Sequence, residues 1–361
     1  MAFFAYNVNA NVYMMLAEVL ESLKKVIPMV KLKDIAEACG VSVATVSRAL
    51  NGLTPPETKR AAGILLKAKE LGYYPNAAAR TLKTSRSHNI GILYEDRMDH
   101  EYFSPLLNEL RFAAENLGYD MTFIRRCSNS EEGDYLDRAR RRNLDGVVVV
   151  QADFNSADVI RLAVSAIPTV MIDHAYESCD CVMNDNRGSV EKIVQAVWEK
   201  GHRRVAMIHG EDCTVTRERV AGFYKACAEL GLRIPASYVR ESRFHSPDIC
   251  AESVKALIKE NEIRPTCILC PDDFSCLGAL RALNEMNIRV PQDMSLVGYD
   301  GIRMTQMGTP RLTTYRQDAG EVARAAASLL NEAINDPKAH QTRTVTVSGE
   351  LIPGETLGLA P

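Results

Sequence analysis

The sequence predicts a chain of α plus α/β class: an N-terminal three-helix head containing a helix-turn-helix, then a larger two-lobed α/β unit. Three observations point there. Two short amphipathic stretches near the start are separated by a single glycine turn. From Asn89 onward, short apolar runs alternate with helical patterns in two successive series. The net charge of −3 is unevenly divided: Met29–Ser87 carries ten Lys/Arg against four Asp/Glu, so this segment is +6 and the remainder −9. At 361 residues the chain suits two or three domains rather than one.

Residues 1–28 form an N-terminal extension. Val12, Leu16, Val19, Leu23 and Val26 fall on one face of a helix that Pro28 would end. An extension without fixed structure is the favoured reading, because "MVKLKDIAE" from Met29 reads as a natural beginning. The start lacks the basic region and cleavage site of a signal peptide, and no apolar run approaches a membrane span, so a cytoplasmic location is expected.

Residues 29–75 are the head. Ile35, Cys39, Val41, Val46 and Ala49 give the apolar face of helices near Leu32–Cys39 and Val43–Leu50, with Gly40 in the turn. A third helix follows in "TPPETKRAAGILLKAKELGY". Thr54 and Glu57 are expected to form its capping box, Pro55 its first turn and Gly72 its stop. The second helix turns a polar face outward. Val43 and Ala44 suit thymine methyl groups, Arg48 a bidentate contact with guanine, and Thr45, Ser47 and Asn51 phosphate contacts. With the +6 charge behind it, this helix is expected to enter the major groove of double-stranded DNA.

Residues 76–88, "NAAARTLKTSRSH", are a small-residue, basic linker. Asn76 is a good cap for a short helix that alone is marginal in water and would form on a surface that orders it.

Residues 89–361 alternate strand and helix: "NIGILY", "MTFI", "DGVVVVQ" and "IPTVMID" in the first series, then, from about Arg187, "RRVAMIHG", "PTCILCPDD" and "DMSLVGYD". Leu117-Gly118, Leu230-Gly231 and Met286-Asn287 read as left-handed helix stops. Two α/β lobes facing one another imply a ligand cleft at the carboxyl ends of their strands. The Cys267/Cys270 C-x-x-C lies in an apolar run with no second ligand pair, and reads as core rather than a metal site.

Four stretches in this order, "LKDIAEACGVSVATVSRALNG", "ELGYYPNAAARTLKT", "RVAGF" and "RVPQDMSLVGYD", resemble the LacI/GalR family of bacterial transcription regulators, from about Val30 to Ile334. The resemblance implies a homodimer on a near-palindromic operator. It also implies a hinge helix over Asn76–Lys83, with Leu82 as a minor-groove wedge, accompanied by Lys83, at a central C-G step. The lobes then resemble periplasmic sugar-binding proteins. On that resemblance Arg219 and Asp300 contact the effector's oxygens, joined by Asp272, while Phe244 and the pair Tyr102-Phe103 supply aromatic faces. Asp272 would alternatively cap the next helix. Two departures stand out: "DRMDHEYF" lacks an Asn-Pro before the aromatic pair, and "ELIPGETLG" lacks an Arg-x-Ser.

The expected function is a sequence-specific repressor modulated by a small molecule, with a sugar favoured. An activator or corepressor-dependent regulator with a non-sugar effector is the alternative. A transport solute-binding protein is disfavoured, since it would need a secretion signal and no head. No nucleotide-binding loop, nucleophile elbow or HExxH supports an enzyme, and no cofactor is expected. His174, His202 and His209 are read as structural or surface residues.

Overall fold

The computed structural model describes residues 30–50, 54–55, 58–73, 81, 86–95, 102–125 and 133–361. The extension 1–28, Asn51, Asn76, Leu82 and Lys83 lie outside them. The chain divides into two units, Met1–Ser85 and Arg86–Pro361.

In the first unit, α1 (Leu32–Cys39) and α2 (Val43–Leu50) flank Gly40, whose φ of 63° is a conformation that costs a side chain energy. The Asp34 carboxylate reaches back to the Lys31 N–H (2.7 Å) and closes the first turn of α1. The third helix, α3 (Lys59–Glu70), opens later than the sequence suggested. Its cap is Thr58, whose hydroxyl accepts from the Ala61 N–H at 3.3 Å. The helical region is disfavoured for a residue before proline, which works against Pro55, preceding Pro56, as the helix's first residue. Gly72 then stops it in the left-handed region, as expected. Ile35 and Val46 are fully buried against Ala36, Ala49, Ala61, Ile64 and Ala68. The alanines among them let the three helices approach closely.

In the second unit, one sheet holds β1 (Asn89–Tyr94), β2 (Asp120–Ile124), β3 (Gly146–Gln151), β4 (Thr169–Ile172), β5 (Asp180–Asn184) and β11 (Thr344–Val347), ordered β11-β5-β4-β3-β1-β2 and parallel throughout. The other holds β6 (Val205–His209), β7 (Val239–Glu241), β8 (Cys267–Leu269), β9 (Ser295–Asp300), β10 (Thr313–Arg316) and β12 (Glu350–Ile352), ordered β12-β10-β9-β8-β6-β7. Only the β10–β12 pair is antiparallel.

Helices cover both sheets, as the unbroken apolar strands require. The first lobe carries α4 (Phe103–Asn116), α5 (Tyr135–Arg141) and α6 (Ala157–Ala163). The second carries α7 (Asn186–Glu199), α8 (Thr214–Glu229), α9 (Pro247–Glu260), α10 (Asp273–Glu285) and the short α11 (Arg303–Met307). Cys267 and Cys270 are buried and free, as read from the sequence.

The lobes are not simply consecutive. The long helix α12 (Ala319–Asn335) returns to the first lobe, where Val322, Ala326, Leu329 and Leu330 pack with Ile90, Leu106, Val148 and Val170. The chain therefore passes between lobes three times, at Asn184–Asn186, Arg316–Ala319 and Val347–Glu350. Asp185 stitches the first crossing to the third: its N–H donates to the Val347 carbonyl (2.8 Å) and its carboxylate accepts from Ser348 (3.3 Å).

Candidate functional site

Two surfaces follow from this architecture, one in each unit. In the head, α2 buries Val46 and Ala49 and turns Val43, Ala44 and Arg48 to solvent, with Thr45 and Ser47 half-buried. The helix is amphipathic in the sense predicted: the residues suited to base edges are those the core does not use. Val43 is 43% exposed. Ser42, which the sequence reading passed over, accepts from the Thr45 N–H at 3.2 Å and also pairs with its hydroxyl at 2.9 Å. Thr45 is thereby tied to Ser42 at the start of α2. A serine just before an apolar-periodic run is the signal that would have found it.

In the second unit a cavity of about 280 Å³ lies at the carboxyl ends of the strands, lined by residues of both lobes. Tyr102, Phe103, Phe154, Asp173 and His174 come from the first lobe; Glu211, Cys213, Thr214, Arg219, Phe244 and Asp300 come from the second. Gln317, at the second crossing, also lines it.

Arg219 is only 7% exposed. Its Nε donates to Asn186 Oδ1 and its Nη1 to the Pro271 carbonyl, both at 2.9 Å, and its guanidinium lies 3.5 Å from the centre of the Tyr299 ring. It is also 5.7 Å from the Phe244 ring centre. Phe244 in turn covers Gly210, where a Cβ would meet the ring at 2.3 Å; only a glycine lets the aromatic lie flat there.

Asp300 ends β9 with φ 102°, a strained conformation for a residue with a side chain. Its Oδ1 accepts from Gln317 Nε2 at 2.6 Å. Burial, followed by the nearby charge of Asp272, pushes its carboxyl well above the usual range, while Arg219 opposes the shift. Gln317 Oε1 is buried without a hydrogen-bond partner, an acceptor that a ligand's N–H or O–H would satisfy.

The first lobe presents a counterpart. Asp173 follows β4 with φ 58°, and burial raises its carboxyl too, while Asn184 hydrogen bonds (2.8 and 2.9 Å) hold it in place. Asp173 was missed, although "IPTVMID" ends in aspartate just as "DMSLVGYD" does. His174 is a further correction. It stacks on Phe154, ring centres 4.4 Å apart, and lines the cavity, where burial lowers its pKa. His202, by contrast, is the buried structural residue expected, bonded to Thr266 and the Gly358 carbonyl.

Of the six expected effector residues, five reach the cavity: Tyr102, Phe103, Arg219, Phe244 and Asp300. Phe103 is 2% exposed and stacks on Tyr94 at 3.4 Å, so most of its ring is core. Asp272 does not line the cavity. It caps α10: Oδ1 accepts from Ser275 N (2.7 Å), and Oδ2 from Ser275 Oγ (2.8 Å) and His245 N (2.9 Å). The capping alternative is thus present, while an oxygen of the same carboxylate lies within 4.8 Å of one of Asp300 and of a His245 ring nitrogen, both residues of the cavity lining.

The model for bacterial regulatory proteins of the lacI family matches residues 31–76, and that for a periplasmic binding protein-like domain matches residues 194–357. The HTH-type transcriptional repressor PurR of Haemophilus influenzae (strain PittEE) is 31% identical over 332 residues, 90% of this chain and 97% of the relative. Its counterpart in Pasteurella multocida is 28% identical over 331 residues, again 90% of this chain and 97% of the relative. Among solved structures, the lac repressor dimer bound to operator and the anti-inducer ONPF superposes with a TM-score of 0.75 at 24% identity, over 91% of this chain and 99% of that one. A complex of the regulator CelR with cellobiose gives 0.66 at 22%, with the same coverage. The likeness to these structures concerns the fold.

Proposed function

This chain belongs to the lacI family of bacterial regulatory proteins, and from that premise we propose that it is a cytoplasmic, non-catalytic repressor whose operator affinity is set by a sugar held between the two lobes. As a member of the family it is a DNA-binding repressor with an effector-binding unit, acting as a dimer. Val43, Ala44 and Arg48 read bases, and Thr45, Ser47 and Asn51 hold phosphates. The segment Asn76–Lys83 supplies the hinge, with Leu82 as its wedge and Lys83 beside it.

The observation that carries the effector reading is the cleft itself. Aromatic faces from both lobes enclose a space in which Asp300 and Gln317 offer acceptors beside the Arg219 guanidinium. A sugar has apolar C–H faces and a rim of hydroxyls, and needs that combination. Mechanistically, an effector that binds the closed lobes better than the open ones shifts that equilibrium, and only such differential affinity can alter operator binding. The stacked Phe154–His174 pair gives the alternative its one specific support, since a flat nitrogen heterocycle would slot against it.

The test is selection of bound duplexes from a random pool at fixed salt, followed by titration of the complex with a panel of sugars and nucleobases. A two-fold symmetric site with a central C-G step, released or tightened by a sugar, is the expected result. A symmetric site that responds only to nucleobases would replace the sugar, and no enriched sequence under any condition would overturn the whole reading.

A further inference from the structure

The effector unit begins at Arg86, within the linker segment 76–88, and its first residues are anchored in a specific way. Arg86 donates from Nη2 to the Ile334 carbonyl (2.9 Å) and from Nη1 to Asn335 Oδ1. These are the last two residues of α12, where backbone carbonyls lack intrahelical partners and the helix dipole favours a cation. The next two residues are clamped by one carboxylate: Asp145 accepts from Ser87 N, Ser87 Oγ and His88 N at 2.8, 3.1 and 2.8 Å. Asn335 and Tyr119 both donate to Asn331 Oδ1, which ties the last turn of the helix to the same corner.

The other end of α12 lies at the cleft. Asp318 caps the helix through the Glu321 N–H (2.8 Å), and Gln317, immediately before it, bonds to Asp300 through its side chain (2.6 Å) and more weakly through its backbone N–H (3.4 Å). Asp300 belongs to the second lobe, whereas the buried face of α12 is embedded in the first. A helix of 17 residues is about 25 Å long. The segment from Gln317 to the end of α12 thus touches the ligand cleft just before the helix's cap and the root of the DNA-binding linker at its last turn.

We propose that Arg86 is a positioning residue for operator binding: it fastens the linker to α12, so that movement of Asp300 against Gln317 is delivered to the linker as a shift of the helix's C-terminus. The proposal rests on the reading of the cleft as the effector site. Packed helices move as units by about an ångström or two rather than deforming.

The experiment is a double-mutant cycle in the full chain, read as affinity for the duplex enriched from the random pool. Arg86→Ala, Gln317→Leu and the double variant are compared with wild type, and melting curves establish that each is folded. Residues separated by the length of α12 should act independently within about twofold. Coupling through the helix predicts instead that Gln317→Leu shifts affinity by about fivefold or more in the wild-type background and by less than about twofold once Arg86 is gone. Arg86→Lys, which keeps the charge but lacks the fork, should restore part of the coupling. A merely structural role for Arg86 would lower affinity without altering the effect of Gln317→Leu, and additive losses would overturn the proposal while leaving the effector reading intact. Normal operator binding in Gln317→Leu, with no response of the wild type to any compound in the panel, would overturn the cleft reading and this proposal with it.

Discussion

Replacing Arg219 by alanine tests whether this side chain is a ligand contact alone or also part of the frame that holds the lobes. Its loss orphans two acceptors, Asn186 Oδ1 and the Pro271 carbonyl, the first of which belongs to a fully buried residue at an interlobe crossing. Each buried, unsatisfied acceptor costs about 1–1.5 kcal/mol at the low end of the usual range. The cation–π contact with Tyr299, made away from water, contributes about 1–2 kcal/mol more. The sum is about 3–5 kcal/mol, an upper figure because removing a buried charge also relieves some of its own desolvation. In a unit of this size that corresponds to a fall in Tm of about 10 °C. The assay is thermal denaturation of the full chain by circular dichroism, with binding to non-specific DNA measured at low temperature. The head is a separate unit, so non-specific binding should persist while Tm falls and the effector response disappears. A Tm within about 2 °C of wild type, with the response lost, would refute the reasoning and make Arg219 a pure ligand contact.

The remaining expectations concern single positions. Asp272→Ala should lower stability by about 0.5–2 kcal/mol through loss of the α10 cap, while the effector concentration for half response stays unchanged; a changed response with unchanged Tm would return Asp272 to the ligand site. Burial raises the Asp273 carboxyl to about 7, above its ordinary 3.8. Between those values the folded chain holds a proton that the unfolded chain has lost, so stability from this group falls as pH rises. Asp273→Asn should therefore flatten the loss of Tm between pH 4.5 and 7.5, and parallel curves for wild type and variant would contradict it. Burying a leucine is worth about 1.5–3 kcal/mol, so Leu82→Ala should weaken the selected operator about tenfold or more and non-specific DNA much less; equal losses would reject the wedge.

The head was legible almost residue by residue because its signals are local. Gly40 is needed for a positive φ, and the buried positions of α1 and α2 recur at helical spacing. The one error there, the start of α3, came from weighing Thr54 and Glu57 without weighing what Pro56 does to its neighbour. In the lobes, the alternation of strand and helix could be read, with β1 to β4, β6, β8 and β9 in order, but not the short β5 and β7, the helix α9, or the return of α12 and β11 to the first sheet. Nothing in a strand's composition says which of two similar sheets it completes. The cleft shows the same division. Arg219 and Asp300 were found through motifs, whereas Gln317, Asn186 and Asp173 take their importance from crossings and strand ends that exist only in three dimensions. Asp272 stays ambiguous in the sequence because a helix cap and a ligand contact make the same demand: an aspartate after a strand.

The interleaving of the lobes also orders events during synthesis. The three helices of the head are complete once Glu70 has left the ribosome, and they share a core of their own. Neither sheet is complete until β11 and β12 appear, more than 270 residues later, one closing the open side of β5 and the other that of β10. Up to that point the nascent chain carries a finished head ahead of two sheets with unpaired edges, the arrangement most exposed to mispairing and to capture by chaperones. The two lobes mature together and last, so a chain able to hold DNA emerges well before one able to answer a ligand.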